Sequence, residues 1–511
     1  MKSIEQIAAE LQGYDPQALS AAAVNEFLDQ LVEPVAQTES LPLFEALDRV
    51  LARDVISPVS VPPHDNSAMD GYAFDGSALR ADAALRLTPV GTALAGKAWQ
   101  GSVDAGQCLR IMTGAIMPAG LDTVVPQEFV KTEGDAIVIP PGLLQPGDNR
   151  RLLGEDVMQG QPALRQGTRL SPAALGLAAS LGIPTVEVRR RLRVAYFSTG
   201  DEILSLGEPP REGAVYDSNR YTVFGLLTRL GVEVLDFGVI GDQPQKLEAT
   251  FREAAAQADA IITSGGVSVG EADHTKSMMK KLGDVAFWRI AMRPGRPMAV
   301  GRILPERLLA SDPRFAAGPS QGETTPSGGS EPHAVGSAGA DGFAAGPSQG
   351  ETAPSGGSEP HAVGSVGAEG FAAGPPQGET TPSGGSEPHA VGSVGAILFG
   401  LPGNPVAVMV TFLAFVRPAL LRMMGCTAAA PPLLRARSLE AIRKKPGRTE
   451  YQRGIVSTTA DGSLQVRTTG NQGSGVLSSM VQGNGLIVLH HGQGNVAVGE
   501  EVDVMMFDGV I

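Results

Sequence analysis

The 511-residue sequence contains only two cysteines, Cys108 and Cys426, which are too few for a disulfide framework or a cysteine-based metal site. Basic residues are also in deficit, since 40 Lys and Arg face 54 Asp and Glu and the net charge is −14. This acidic balance argues against general nucleic-acid binding. The N-terminus lacks the apolar core of a signal peptide, and we identify no apolar run of about 18 residues that would predict a membrane span. We therefore expect a protein of the reducing cytoplasm without nucleic-acid or membrane partners.

Four patterns follow one another along the chain. Short β-type runs broken by glycine predict a small all-β module, and strands that alternate with helices predict an α/β domain with a parallel sheet. Helical periodicity before and after the β module predicts helices near 22–39, 43–51 and 173–180. The expected domains are a helical linking region (1–69 and 146–191), the β module (70–145), the α/β domain (192–306 and 397–427), an insertion (307–396) and a C-terminal β domain (428–511).

The insertion contains a 28-residue repeat that begins at Phe315 and recurs at Phe343 and Phe371. Each repeat is rich in Gly, Pro and Ser and has too few apolar residues to offset its ordering entropy, which predicts disorder. Its single histidine per repeat does not make a preformed metal site. The flanking segments RPMAVGRIL and AILFGLPGNP are predicted to be the strands of a hairpin, so the repeats would lie in a surface connection. They could be a passive tether or could gate a nearby site.

Polar segments follow the predicted strands of the α/β domain: STGDE, IGDQ and SGGVSVGEAD. Ligands of such sheets bind beyond the carboxyl ends of the strands, so these segments are expected at one edge. Closely spaced glycines let backbone N–H groups approach an anion, and carboxylates could hold a divalent cation beside it. A tight turn with solvated acids is the structural alternative, and Asp242 could equally cap a helix.

Two further segments add features of an anion site. RPGRP and its upstream neighbour supply Arg289, Arg293 and Arg296, whose guanidinium groups match oxyanions, although each alone could be a surface base. LPGNPVAV leads from a predicted strand into a helix, whose N-terminus offers free N–H groups. Together with the strand-end acids, these segments predict an anionic ligand and a cation held by carboxylates.

Taken as a set, the motifs resemble those of the molybdopterin molybdenumtransferases, the MoeA proteins and the gephyrin E-domain. The resemblance runs from about residue 20 to the C-terminus, except for the repeats. Molybdopterin adenylyltransferases share SGGVSVGEAD, whereas the N-terminal motifs and the region near TGNQGSGVLSSM single out the molybdenumtransferases. The motifs are NSAMDGYA (66–73), RIMTGA (110–115), GED (154–156), FSTGDE (197–202), YDSNR (216–220), TSGGVSVGEAD (263–273), RPGRP (293–297) and LPGNPV (401–406).

The resemblance implies a multi-domain α/β fold and a role in molybdenum cofactor biosynthesis. Members insert molybdate into adenylylated molybdopterin and release AMP with Mg²⁺. The resemblance also implies a homodimer, with the adenylyltransferase that supplies the substrate and molybdoenzyme acceptors as partners. Adenylyl transfer, or a non-enzymatic role as a scaffold or cofactor carrier, are the alternatives.

Carried over by motif, the resemblance assigns roles to three groups of residues. Glu202, Asp242 and Asp273 would hold Mg²⁺. Asp70, Thr113 and Asp156 would reach the same cleft between protomers, unless they are a turn-former, a turn hydroxyl and a loop acid. The molybdopterin and phosphate would be bound by Thr199, Gly200, Ser264, Gly265, Gly266, Ser268, Gly270, Arg289, Arg293, Arg296, Pro402, Gly403 and Asn404.

Two kinds of substitution depart from the family pattern. Arg289, Arg293 and Arg296 stand where the family often has lysine, and Ala407 stands where it often has serine. Arginine keeps the positive charge but is a planar fork rather than a point charge. The alanine removes a hydroxyl donor unless another group supplies one, so both substitutions bear on the geometry of oxyanion binding.

Overall fold

The alternation of strands and helices after residue 192 builds a six-stranded sheet. The computed structural model describes residues 2–266, 273–305, 395–427 and 430–508, with the backbone alone for 273–277. The strands of this sheet are β13 (Arg193–Thr199), β16 (Glu233–Ile240), β17 (Ala260–Ser264), β18 (Gly283–Arg289), β20 (Pro297–Ile303) and β21 (Ala396–Leu401). Their order in the sheet is β16-β13-β17-β21-β20-β18.

The sheet is mixed, although a parallel sheet was expected. Strands β16, β13, β17 and β21 are parallel to one another, whereas β20 is antiparallel to both β21 and β18. The predicted hairpin on either side of the insertion is confirmed and explains the reversal, because Ala299 pairs with Gly400 and Ile303 with Ala396. The predicted disorder of the repeats lies outside the described residues.

Helices cover both faces of this sheet, which is why strands β13, β17 and β21 are almost continuously buried. The edge strand β16 is only partly buried. One face packs against α1 (Ile4–Glu10), α2 (Ala21–Leu31), α4 (Ser218–Leu230) and α7 (Pro405–Met423). The other face packs against α5 (Pro244–Gln257) and α6 (Asp273–Leu282). Both faces are covered by helices, so ligands reach the domain at the ends of its strands.

Helix α7 corrects the expectation that no apolar run approaches the length of a membrane span. It is 19 residues long and, by length and composition alone, apolar enough to cross a membrane. However, 83% of its most apolar window is buried inside the protein. Phe412, Phe415 and Leu420 are among the side chains that it contributes to the core. It is therefore the central helix of the α/β domain.

The predicted β module is confirmed as a six-stranded sheet with the strand order β7-β4-β6-β5-β9-β8. Its two faces have separate cores, one around Leu109 and Val124 and the other around Phe74 and Ile137. The module therefore does not rely on the α/β domain for its core. Its strands are β4 (Gly71–Phe74), β5 (Leu85–Ala93), β6 (Gln107–Ile111), β7 (Thr123–Pro126), β8 (Lys131–Glu133) and β9 (Ala136–Ile139).

The linking region contains fewer helical residues than expected. Helix α2 ends at Leu31 rather than near residue 39, and the helix predicted at 43–51 is wrong apart from one 3₁₀ turn, Leu43–Glu45. Asp48 adopts a left-handed φ of 62°, and Leu51 bridges to Val188, so the chain there is extended. Helix α3 (Pro172–Ser180) is confirmed. The strands of the region are β1 (Thr38–Pro42), β2 (Val55–Ile56), β3 (Asn66–Ser67), β10 (Arg150–Arg151), β11 (Pro162–Leu164) and β12 (Thr185–Arg189).

The C-terminal segment forms a third six-stranded sheet, with the order β19-β23-β24-β22-β26-β25 and the helix α8 (Ser478–Gln482). Its edge strand β19 comes from the α/β domain and pairs with β23 through Met292 and Arg293. The arginine-rich segment is therefore anchored on the C-terminal sheet. The strands are β19 (Met292–Arg293), β22 (Leu434–Ser438), β23 (Thr449–Thr458), β24 (Leu464–Thr468), β25 (Gly485–Leu489) and β26 (Glu501–Met506).

Candidate functional site

Four parallel strands end together at one edge of the α/β sheet. Ser264 of β17 is in register with Ser198 of β13 and Leu401 of β21, and Thr199 is in register with Ile240 of β16. The predicted meeting of the polar segments at one edge is therefore confirmed where they leave the strands. We call the loops 200–203, 241–243, 265–266, 290–296 and 402–405 the strand-end edge.

The arginine-rich loop reaches the same edge because β20 runs against β21. Arg289 at the end of β18 is in register with Pro297 at the start of β20, and Ala299 is in register with Gly400 near the end of β21. Arg289, Arg293 and Arg296 are all exposed. Three cationic forks are thus available beside the glycine loop, an arrangement suited to an oxyanion.

The glycine loop after β17 requires glycine for its backbone. Gly265 and Gly266 have φ of 95° and 67°, in the left-handed region. The N–H of Gly265 donates to the carbonyl of Leu401 at 3.2 Å, and a Cβ on Gly265 would lie 2.5 Å from the carbonyl oxygen of Thr199. The loop is therefore wedged between β13 and β21. The continuation with Ser268 and Gly270, and the side chain of Asp273, lie outside the described residues.

We expect Gly265→Ala to destabilise the protein by about 2 kcal/mol, because it combines left-handed strain with a backbone clash. The matched control is Gly403→Ala. Gly403 does not have a left-handed φ, and a Cβ there meets no atom within 4 Å. Denaturant unfolding of both variants checks the prediction, and equal stability of the two would contradict the wedged geometry.

The Ser264 side chain is buried and its hydroxyl is hydrogen-bonded within the protein. Its hydroxyl lies 2.8 Å from the Tyr196 hydroxyl and 3.1 Å from that of Ser198, and Tyr196 and Ser198 are 2.9 Å apart. Each hydroxyl has one proton to donate, so the ring can satisfy itself within the buried strand ends. Ser264 therefore offers the strand-end edge its backbone, while its hydroxyl holds β17 against β13.

Three exposed carboxylates stand where β13 and β16 end. Asp201 accepts the backbone N–H of Asp242 at 3.1 Å, so it braces the next loop. A Cβ on Gly200 would lie 2.4 Å from the carboxylate of Glu202, so this carboxylate folds back over the glycine. Asp242 does not cap helix α5, because the residue at the N-cap position of that helix is Gln243.

This donor set fits Mg²⁺, which prefers carboxylate oxygens and commonly uses one or two of them together with substrate phosphates. Glu202 and Asp242 supply that pair on adjoining strand ends. A complete protein cage is not present within the described ranges, where no group of three His, Cys, Asp or Glu residues is placed to hold a metal. The site therefore suits a metal that the substrate helps to bind.

Asp70, Thr113 and Asp156 lie outside the α/β domain. Asp70 accepts both the backbone N–H and the hydroxyl of Thr113, at 2.7 and 2.8 Å. The exposed Asp156 donates its N–H to the carbonyl of Val61. Within the described part of the chain, no hydrogen bond or ion pair joins these three residues to the strand-end edge. One chain thus brings Asp70 and Thr113 together without a described contact to the proposed metal ligands.

The two bonds from Thr113, chiefly the one from its backbone N–H, lower the pKa of Asp70. We expect Thr113→Val to raise this pKa only part of the way towards its usual value, because the backbone bond persists. Since the wild-type pKa is depressed, the carboxylate form is favoured in the folded state and is lost as pH falls through that pKa. A ¹³C NMR titration of Asp70 measures the change, and an unchanged pKa would contradict the hydroxyl contact.

The C-terminal sheet adds two residues to the edge that the motifs did not identify. Ser474 accepts from Asn404 through its hydroxyl and from the N–H of Val406 through its carbonyl, both at 3.1 Å. Arg453 holds the same loop by donating to the carbonyls of Asn471 and Gly473. Ser474 lies in the TGNQGSG segment, which is part of the family resemblance and could have indicated it. Nothing in the local sequence indicates that Arg453 is buried.

Three family descriptions match the chain in succession. Residues 19–182 match the MoeA N-terminal region (domain I and II), residues 195–422 match a probable molybdopterin binding domain, and residues 435–507 match the MoeA C-terminal region (domain IV). The first two matches together span the β module and the α/β domain. The resemblance inferred from the motifs is therefore confirmed.

Two proteins that are both named molybdopterin molybdenumtransferase are similar to this chain over most of their length. The molybdopterin molybdenumtransferase of Haemophilus influenzae is 35% identical over 96% of this chain and 98% of its own. That of a Nostoc species is 31% identical over 92% of this chain and 88% of its own. A solved structure, titled a molybdopterin biosynthesis MoeA protein from Pyrococcus horikoshii, shares the fold with a TM-score of 0.64 at 23% identity, covering 96% and 100% of the two chains. The chain therefore belongs to the molybdopterin molybdenumtransferase family.

Proposed function

We propose that this chain, an enzyme of molybdenum cofactor biosynthesis, inserts molybdate into adenylylated molybdopterin and releases AMP in a Mg²⁺-dependent reaction. The observation that carries the proposal is the convergence at one sheet edge of exposed carboxylates, three exposed arginines and a glycine loop. A phosphoanhydride needs such cations and N–H groups for its charge, and carboxylates for its metal. Molybdate, a tetrahedral oxyanion, needs the same kind of donors.

Glu202 and Asp242 would hold Mg²⁺, with Asp273 as the third ligand that the motifs predict. When bound, the metal supplies charge neutralisation and Lewis-acid polarisation at the phosphoanhydride. The protein's own contribution is positioning. Asp201 fixes the backbone of Asp242, and the wedged Gly265 fixes the loop against β21, so the groups are placed before the substrate arrives.

The arginines and backbone N–H groups would hold the anionic ends of the substrates. Arg289, Arg293 and Arg296 offer paired donors to phosphate or molybdate. The loop Pro402–Asn404 leads into α7, whose N-terminus carries partial positive charge. Ala407 has no hydroxyl and its side chain is only 2% exposed, so this position adds no donor to the site.

We further propose a cytoplasmic homodimer in which Asp70, Thr113 and Asp156 of one protomer complete the strand-end edge of the other. Within the described residues, no hydrogen bond or ion pair ties these three residues to the edge of their own chain, which agrees with this arrangement. A mixing experiment tests it. Asp70→Asn and Asp242→Asn homodimers should each be inactive, and random re-association should restore about one quarter of wild-type activity through one intact site per heterodimer. Failure of the mixture to regain activity would oppose a shared site.

The decisive experiment measures AMP release from adenylylated molybdopterin, with and without molybdate and with and without Mg²⁺. We expect release only when both are present. The cofactor product should then activate an apo-molybdoenzyme, the proposed acceptor, and an adenylyltransferase should be able to supply the substrate. In a parallel assay with molybdopterin and ATP but no molybdate, consumption of ATP would instead support adenylyl transfer. Absence of turnover in both assays would support a scaffold.

A further inference from the structure

The segment VYDSNR (215–220) contacts two loops of the strand-end edge and the strand β16, yet the proposed reaction gives it no role. Its N-terminal part pairs with the loop after β13 as two short strands, β14 (Ile203–Leu204) and β15 (Val215–Tyr216). The N–H of Val215 donates to the carbonyl of Glu202 at 2.9 Å, and the N–H of Asp217 donates to the carbonyl of Leu204 at 3.0 Å. The backbone that carries the proposed metal ligand Glu202 is therefore bonded to this segment.

Asn219 connects the segment to the LPGNP loop. Its side-chain N–H donates to the carbonyl of Gly403 at 2.7 Å. Asn219 is only 8% exposed, so this contact is shielded from water and its loss would leave the carbonyl of Gly403 short of a partner. Asp217 precedes helix α4 and accepts the N–H of Arg220 at 3.0 Å, which fixes the turn that presents Asn219.

Arg220 connects the segment to strand β16, a few residues before the Asp242 loop. Its guanidinium binds both carboxylate oxygens of Asp236 at 2.7–3.0 Å, and Asp236 also accepts the N–H of Gly238 at 3.0 Å. Gly238 has a left-handed φ of 76°. The register of β16 with β13 shifts at this point, since Tyr196 pairs with Asp236 but Ser198 pairs with Val239.

This shift is a β-bulge, in which β16 carries one more residue than β13 between two paired positions. A bulge re-aims the residues that follow it, and Asp242 lies two residues beyond the end of β16. The ion pair of Arg220 with Asp236 thus stabilises the backbone turn that determines where the Asp242 loop begins. The same helix turn holds Gly403 through Asn219.

We infer that Asn219 and Arg220 are positioning residues that fix the LPGNP loop and the Asp242 loop relative to each other. The inference rests on the proposed function for its kinetic consequences, but the loop geometry itself can be tested without substrate. Asn219 would govern substrate affinity through the LPGNP loop. Arg220 would govern the Mg²⁺ requirement through Asp242.

The experiment compares Asn219→Ala, Arg220→Lys and the control Arg252→Lys by hydrogen-exchange mass spectrometry. Arg252 is a matched control because it forms an equally half-buried arginine–carboxylate pair with Glu248, but along helix α5. We expect Asn219→Ala to speed exchange about fivefold in 401–406 alone, as the loss of one hydrogen bond predicts. Arg220→Lys should speed exchange in 236–243 alone, because lysine cannot bind both carboxylate oxygens of Asp236 as the guanidinium does.

Kinetics then separate the two roles. Asn219→Ala should raise the KM for adenylylated molybdopterin about fivefold, and Arg220→Lys should raise the Mg²⁺ concentration for half-maximal AMP release about tenfold, as for other residues that orient metal ligands. If Asn219→Ala does not fold, Asn219→Ser, too short to reach Gly403, replaces it. Unchanged exchange in both loops, or equal effects in Arg252→Lys, would overturn the inference. Absence of AMP release by the wild type would defeat only the proposed function.

Discussion

Asp242→Asn is expected to lower Mg²⁺-dependent AMP release by about 100-fold, since loss of a metal ligand costs at least as much as loss of the groups that orient it. Asparagine keeps the size and one oxygen of aspartate but loses the charge. The backbone N–H of residue 242 still donates to Asp201, so the loop should stay in place. The defect should therefore be one of charge at the metal, and raising Mg²⁺ should recover part of the activity.

The control for this variant is Glu253→Gln, which neutralises an exposed carboxylate of helix α5. It should retain wild-type activity and the wild-type Mg²⁺ dependence. Glu202→Gln should reproduce the defect of Asp242→Asn, because the two carboxylates are proposed to hold one ion. A variant of Asp242 with normal activity and normal Mg²⁺ dependence would remove this residue from the proposed metal site.

The architecture of the α/β domain could be predicted because its signals are local. Alternating strands and helices after residue 192 indicate the sheet, and RPMAVGRIL and AILFGLPGNP indicate the hairpin that β20 and β21 form. The failed helix at 43–51 shows the limit of such signals. Its apolar residues have helical spacing, but Leu51 bridges to Val188, far away in sequence, and Asp48 turns the chain with a left-handed φ. Tertiary pairing overrides local propensity there.

The candidate site likewise has one part that the sequence predicts and one part that only the folded structure shows. Strand-end motifs predicted which loops meet, because the carboxyl ends of parallel strands lie at one edge. They did not predict that the Ser264 hydroxyl is occupied by Tyr196 and Ser198, since those contacts depend on the register of two strands. The contact between Asn404 and Ser474 likewise depends on how the C-terminal sheet packs. Specific side-chain partners of this kind require the folded structure.

Arg453 is expected to be the most costly arginine to replace. It is fully buried, and its guanidinium donates to the Ser479 hydroxyl at 2.9 Å and to the carbonyls of Asn471 and Gly473 at 3.2 and 3.0 Å. Burial, and secondarily the charge of Arg293, lower its pKa to about 10. Arg453 therefore remains charged at neutral pH. At every pH below its pKa, burial of this charge destabilises the folded state. Its three acceptors must offset this cost.

We expect Arg453→Met to destabilise the protein by about 3 kcal/mol. Methionine keeps an apolar stem but leaves the buried Ser479 hydroxyl and two partly buried carbonyls without this donor. Each bond to a charged donor contributes about 1.5–3 kcal/mol, partly offset by relief of the buried charge. The loop that carries Ser474 should loosen with it and release Asn404, so the KM for adenylylated molybdopterin should rise as well. Denaturant unfolding and steady-state kinetics measure the two effects.

Arg467→Met is the matched control, because Arg467 is exposed on the neighbouring strand β24. A surface substitution of this kind should change stability by no more than about 0.5 kcal/mol. If Arg453→Met proved as stable as this control, relief of the buried charge would have balanced the lost hydrogen bonds. A raised KM in such a stable variant would then show that Arg453 serves the site by holding the Ser474 loop against Asn404, whatever it contributes to folding.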